Sequence, residues 1–228
     1  MRTFLAFLLL QATHAWALPN EITAEYKLTS HGVTIGTVTE NYVRSGDTYR
    51  ISSVTRSEGP LKVFLDDQLT LESTGKVGAE GLRPLKFTQR RARDSKRDIE
   101  ATFDWDRGVM VSRFRGETHE VALPAQTQDR LSFMYQFMNM EAGSSPMAVS
   151  MANGRKVEKY AYRMVDEARV ATPAGDFETR HYARITSAKE SNAEVWLAKE
   201  RYNLPVRVVF DDPKGPRLEQ TLVALQTR

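Results

Sequence analysis

The chain of 228 residues contains no cysteine. That absence excludes disulfide staples, thiol catalysis, cysteine-ligated metal and lipid attachment through an N-terminal cysteine. The chain also lacks a strong charge of either sign, with 32 Lys and Arg against 29 Asp and Glu and a formal net charge of +3. Loss of Arg2 with a cleaved leader would bring +3 down to +2. So small a surplus argues against nucleic acid as a partner, and any affinity for anions has to be local. Long apolar runs are missing as well. The longest, Thr3 to Leu10, is far shorter than the roughly 20 residues a helix needs to cross a bilayer, so the chain is not expected to span a membrane. Catalytic signatures are equally scarce. There is no Gly-x-Ser-x-Gly elbow and no pair of histidines four apart around an acid, so neither an enzyme, a metal nor a cofactor is expected.

What the sequence does have begins at its start. Met1-Arg2 gives a positive head, Thr3 to Leu10 an apolar segment, and Ala15-Trp16-Ala17 the small residues that signal peptidase requires. Residues 1–17 are therefore expected to be a signal peptide cleaved after about Ala17. Residues 18–228 then form one soluble, monomeric domain, long enough to bury roughly 70% of its unfolded surface without disulfides.

From Leu18 onward the pattern is strand and tight turn. Ile22, Ala24, Tyr26 and Leu28 alternate with polar residues, as a strand with one buried face requires. Ser30-His31-Gly32 turns the chain into a strand from Val33 to Val43, whose apolar parity shifts around Gly36, signalling a bulge or a close backbone approach. Further strands are expected over Tyr49–Val54 and Val63–Leu71, separated by a break at Gly59-Pro60, and over Leu85–Arg93 after Gly81-Leu82-Arg83-Pro84. Ile99, Ala101, Phe103 and Trp105 give the cleanest alternation in the chain. A meander then runs through Val109, Val111 and Val121, with turns at Asp106-Arg107-Gly108 and Arg115-Gly116. Strands over Val149–Ala152, Val157–Val165, Phe177–Ile185, Ala193–Leu197, Leu204–Phe210 and Leu218–Leu225 complete the second half.

One segment departs from this rhythm. In Asp129 to Met140, polar residues at 132, 136 and 139 form a narrow stripe and nearly everything else is apolar, which predicts a mostly buried helix. Thr127 or Asp129 can cap it, and Gly143 with Pro146 ends it. The expected fold class is all-β: a curled antiparallel sheet or open barrel around one central, mostly buried helix.

Gly32-Val33-Thr34-Ile35-Gly36-Thr37, Gly81-Leu82-Arg83-Pro84, Phe103-Asp104-Trp105, Gln128 to Phe133, Thr172 to Thr179, Val195-Trp196-Leu197-Ala198 and Leu204 to Val208 follow in an order and spacing that resembles the domain of unknown function 3108 family of exported bacterial proteins. The resemblance covers nearly the whole chain after the leader. It implies a Gram-negative periplasmic or envelope protein with a curled antiparallel sheet, and it brings no catalytic residues. A looser analogy is the half-barrel of periplasmic lipoprotein carriers, in which a curved sheet and helices enclose an apolar cavity.

The expected function is binding of an apolar or amphipathic ligand, such as a lipid, within the curled sheet. Trp105, Phe133, Tyr135 and Phe137 would line the cavity. Arg91 and Arg93, expected to share a strand face within the basic run Arg90, Arg91, Arg93, Lys96 and Arg97, would offer guanidinium forks to phosphate near its mouth. The bland reading of that run is a solvated hairpin, partly neutralised by Asp94 and Asp98. An alternative is a scaffold for an envelope protein, recruited by β-augmentation on an exposed last strand, Leu218–Leu225. A hydrolase of envelope polymers ranks lower, since it needs His181 or His119 to meet an acid in a cleft. His181 shares strand parity with Phe177 and is expected to point inward as a hydrogen-bonded core residue. Asp66-Asp67 and Asp211-Asp212 are expected to be solvated turn acids. Trp105 and Trp196 could stack on sugars, though amphipathic packing at a sheet rim is their ordinary role.

Overall fold

The computed structural model describes residues 18–58, 68–140, 143, 145–187 and 190–228. The leader, the break at Gly59-Pro60 and the pair Asp66-Asp67 lie outside the described residues. Fifteen strands form one sheet. The first eight are β1 (Glu21–Ser30), β2 (Val33–Ser45), β3 (Thr48–Ser57), β4 (Leu69–Gly78), β5 (Gly81–Arg91), β6 (Ile99–Asp104), β7 (Val109–Phe114) and β8 (Glu117–Ala122). After the two-residue β9 (Gln128–Asp129) come the helix α1 (Ser132–Gln136) and a 3₁₀ turn over Phe137–Asn139. The remainder is β10 (Met147–Ala152), β11 (Val157–Thr172), β12 (Gly175–Arg184), β13 (Asn192–Ala198), β14 (Leu204–Asp211) and β15 (Leu218–Thr227).

The chain starts in the middle of the sheet. From β1 it meanders outward to the edge strand β8, crosses over residues 123–127 to the opposite edge at β9, and meanders back until β15 pairs with β1. Every described pairing is antiparallel except β9 with β10. Because β8 and β9 are separated by only five residues, the sheet has to curl until its two edges lie near one another. The curl leaves a concave interior, and α1 occupies it.

Two apolar faces of the helical segment explain how it fits. Leu131, Tyr135 and Met138 pack with Tyr42, Ile51, Phe87, Ile99 and Met110 of the first half. Phe133 and Phe137, on the other face, pack with Tyr162, Tyr182, Val195, Leu197 and Val208 of the second half. Spacings of four and three residues place each set on its own side of a helix. The helix is thus a wedge between the two halves of one sheet, which accounts for a sequence apolar almost all round.

Local sequence explains most strand limits. His31 and Gly32 adopt left-handed φ values of 48° and 79°, as a two-residue hairpin turn requires. The register of β1 on β2 shifts opposite Ile35, and a Cβ on Gly36 would meet the Arg56 carbonyl oxygen at 2.5 Å, so both the bulge and the close approach are present.

Several expectations are corrected. The fourth strand runs to Gly78 rather than stopping at Leu71. The fifth strand starts at Gly81 rather than Leu85, where side chains of β9 and the helix serve its backbone: Gln136 accepts from Leu82 N–H at 2.8 Å, and Gln128 donates to Leu82 carbonyl at 2.7 Å. At its other end β5 stops at Arg91, so Arg93 lies beyond the strand and shares no strand face with Arg91. β11 continues to Thr172, with a register shift around Val165 that disguises its alternation. The last strand is no edge: β15 is hydrogen-bonded to β1 on one side and β14 on the other.

Gly75 sits where the register of β4 on β5 shifts. A Cβ there would collide with the Arg83 carbonyl oxygen and come within 2.8 Å of the Tyr49 ring and 2.9 Å of Pro84 Cα, whereas one on Gly78 meets nothing within 4 Å. Gly75→Ala should cost about 1–3 kcal/mol in urea unfolding. Gly78→Ala should change stability by less than about 1 kcal/mol. Equal effects at the two positions would contradict this packing.

Candidate functional site

Two buried carboxylates fix the wedge in place. Asp129, 0% exposed, accepts the N–H groups of Leu131 and Ser132 on one oxygen, each at 2.9 Å, and the Ser73 hydroxyl of β4 on the other. Ser132 Oγ accepts the Asp129 N–H in return at 2.9 Å, a reciprocal capping arrangement. Of the two expected caps it is Asp129 that serves, while Thr127 donates its hydroxyl to the Pro124 carbonyl. Burial pushes the Asp129 carboxyl up to about 6, against the hydrogen bonds from Ser73, Ser132 and Leu131 that pull it down.

Glu40 is the second. It projects inward from β2, accepts the Tyr135 hydroxyl at 3.2 Å, and lies 3.5 Å from the Ser53 hydroxyl. Burial pushes it up to about 7 despite those two hydrogen bonds. The Tyr135 ring stacks on Tyr42 at 5.3 Å and 11°. Burial likewise raises the Tyr26, Tyr49 and Tyr135 phenols. Glu40 and Asp129 are so enclosed that their chemistry is anchorage rather than proton exchange with a ligand.

Open clefts lie at the rims of the wedge. One cleft of about 370 Å³ opens between the helical segment and β10, lined by Phe133, Met140, Met147 and Val149 with Gln128 and Lys159 among its polar members. A second, of about 320 Å³, is lined by Arg91, Arg97, Arg115, Arg130 and Arg155 around Phe114. The larger hollow of about 820 Å³ beside it combines bases with Asp94, Asp98 and Glu100 and is neutralised by pairs such as Arg90 with Asp98 at 3.8 Å.

The six expected ligand residues do not converge on one cavity. Tyr135 and Phe137 are 2% and 0% exposed and belong to the core. Phe133 borders the Met-lined cleft. Trp105 lines a different hollow, of about 390 Å³, with its indole N–H donated to the Pro84 carbonyl at 2.6 Å. Arg91 lines the arginine cleft and Arg93 does not.

Both tryptophans flagged for sugar stacking have neighbours on their rings. Trp105 carries Phe103 at 6.2 Å and the Arg83 guanidinium at 5.1 Å, and Trp196 carries His181 at 4.1 Å and Arg207 at 4.7 Å. His181 is hydrogen-bonded as expected, to Glu194 at 2.9 Å, with Asp166 at 3.4 Å. It is not among the buried core residues: burial in β12 passes from Phe177 and Thr179 to Tyr182, of the opposite parity, and His181 lines an open hollow. Among the described residues no group of three or more His, Cys, Asp or Glu side chains could hold a metal ion.

Sequence reasoning missed Glu40 as a buried acid, although its parity with Val38 and Tyr42 was visible. It also missed Arg115, Arg130 and Arg155 as partners of Arg91. Nothing local signals that grouping, since the sheet's curl assembles it from four separate segments.

This architecture, one curled sheet wedged open by a short helix, defines a class of β-protein with its clefts at the helix margins. Residues 23–223 match the family described as "Protein of unknown function (DUF3108)", and the chain belongs to that family. No curated protein matches it. Among solved structures, the chain is similar to one described as a "putative lipoprotein" from Parabacteroides distasonis ATCC 8503, with 10% identity, a TM-score of 0.39, and coverage of 92% of this chain and 97% of that one. It is also similar to one described as a "putative exported protein with YmcC-like fold" from Bacteroides fragilis NCTC 9343, with 12% identity, a TM-score of 0.39, and coverage of 92% and 96%. Likenesses so distant transfer neither a ligand nor a site. Among the described residues no helix is long and apolar enough to cross a membrane.

The raised carboxyls make stability depend on pH with a definite sign. The unfolded Glu40 carboxyl, at its ordinary 4.5, releases its proton first, whereas the folded one holds it to about 7. The folded chain therefore binds more protons in that window, and stability falls as pH rises through it. Unfolding free energies from urea titrations at pH 5 and pH 7.5 should differ by about 1–3 kcal/mol in favour of pH 5. Glu40→Gln should remove much of that difference. A difference unchanged by Glu40→Gln would contradict the assignment.

Proposed function

We propose that this is an exported bacterial envelope protein that works by binding an apolar or amphipathic molecule, with no catalysis of its own. Export is supported by the leader pattern of Arg2, the Thr3–Leu10 run and Ala15-Trp16-Ala17. The observation that carries the binding reading is the cleft beside the helical segment. Phe133, Met140, Met147 and Val149 give it a soft apolar lining, and Gln128, Gln136 and Lys159 supply a few polar groups to orient a ligand. Because Tyr135 and Phe137 fill the interior, the ligand sits along the flank of the helix rather than inside the sheet.

A scaffold role finds less support. With β15 internal, the edges are β9, two residues long, and β8, a six-residue strand carrying Glu117 and Glu120, and short charged edges discourage strand addition.

The test is binding of the fluorescent apolar probe N-phenyl-1-naphthylamine, paired with native mass spectrometry after incubation with envelope lipid extract. Wild type should enhance the probe's fluorescence and retain a lipid-sized adduct. Met147→Glu, a change at a half-buried position, should weaken probe binding about tenfold through the cost of burying a charge, with thermal unfolding little altered. No probe enhancement and no adduct in wild type would overturn the reading.

A further inference from the structure

The arginine cleft is unlike every other hollow described above. Among the described residues nine line it, five of them arginines and none acidic. The strand end at Arg91, the short turn holding Arg97, the β7–β8 turn at Arg115, the helix entry at Arg130 and the β10–β11 turn at Arg155 all deliver guanidinium groups to one space of about 320 Å³. Like charges gathered in a cleft with protein walls focus a positive potential into it.

The groups are also held in place. Arg115 and Arg155 both lie over the Phe114 ring, with guanidinium carbons 5.2 Å and 5.1 Å from its centre. Each cation–π contact restrains a long side chain that would otherwise disperse into water. Arg130 donates to Gln89 Oε1 at 3.3 Å. It is open to solvent but ringed by protein, and that partial desolvation, together with the nearby Arg91 charge, holds its pKa below the usual arginine value. Of the neighbouring acids, Asp98 accepts the Arg91 backbone N–H and pairs with Arg90 at 3.8 Å, and Asp94 pairs with Arg97 at 3.9 Å, so Arg97 is partly neutralised.

We infer that this cleft is a binding site for phosphoryl groups. Guanidinium forks match phosphate oxygens two at a time, and several forks around one space suit a multiply charged phosphoryl ligand better than a single carboxylate. The volume exceeds that of one phosphate, which fits a diphosphate or a phosphate attached to a larger body. The inference does not depend on the apolar cleft, because the two sites share no lining residue.

Calorimetric titration of the purified chain with inorganic pyrophosphate, and separately with phosphatidylglycerol and phosphatidylcholine vesicles, tests it. Binding of pyrophosphate identifies a soluble phosphoryl ligand, and binding confined to the phosphatidylglycerol vesicles identifies a lipid headgroup. In either case affinity should fall as salt rises. It should drop about tenfold with Arg155→Gln and further with Arg130→Gln added, each removing a charge-assisted contact. Both residues are exposed, so melting temperature should stay near wild type, and Lys214→Gln, which removes one charge from a distant turn, should leave binding intact. The inference is overturned if neither pyrophosphate nor phosphatidylglycerol binds, if sulfate competes equally well, or if the arginine variants bind as tightly as wild type.

Discussion

The fold depends on one carboxylate. Asp129 takes the two free N–H groups at the start of the helical segment, and on its other oxygen the hydroxyl of Ser73 from β4. Asp129 also belongs to β9, the strand that closes the far edge of the sheet onto β10. One side chain thus ties the crossover to both halves of the sheet and to the wedge between them. An unpaired buried carboxylate would be costly, and three donors make this one tolerable. Glu40 repeats the device further along, gripping the wedge through Tyr135.

Filling the interior has a consequence for function. A curled sheet invites the idea of a hollow carrier, but Leu131, Phe133, Tyr135 and Phe137 leave the concave side packed at core density. Open space is left at the margins, where the helical segment meets β10 and where the ends of β5, β7 and β10 come together. The two clefts there differ in chemistry, one soft and apolar, the other basic.

Much of the fold was legible from periodicity. Alternation in Ile22–Leu28 and Ile99–Trp105, glycine turns at residues 32, 108 and 116, and the apolar run of Phe133 to Met140 each identify their element because a half-buried strand and a wedged helix impose different spacings. Legibility failed where tertiary contacts override local pattern. Gly81 to Pro84 shows no strand alternation and falls outside the expected strand, yet Gln128 and Gln136 bond its backbone and it begins β5. β15 carries no mark of being internal, because its neighbour β1 is about 200 residues away and only closure of the whole sheet brings them together. The candidate site was less legible than the fold: Arg91 and Phe133 could be named as site residues, but Arg115, Arg130 and Arg155 lie on turns that resemble any solvated loop.

The claim that the buried cap on Asp129 seats the wedge is tested most directly by native-state hydrogen exchange on Asp129→Ala. The amides of Leu131 to Phe137 should lose protection by about tenfold or more, while those of β1, β2 and β15 keep most of theirs. Wild-type protection across the helical segment in that variant would show that packing alone holds the helix, and would contradict the account.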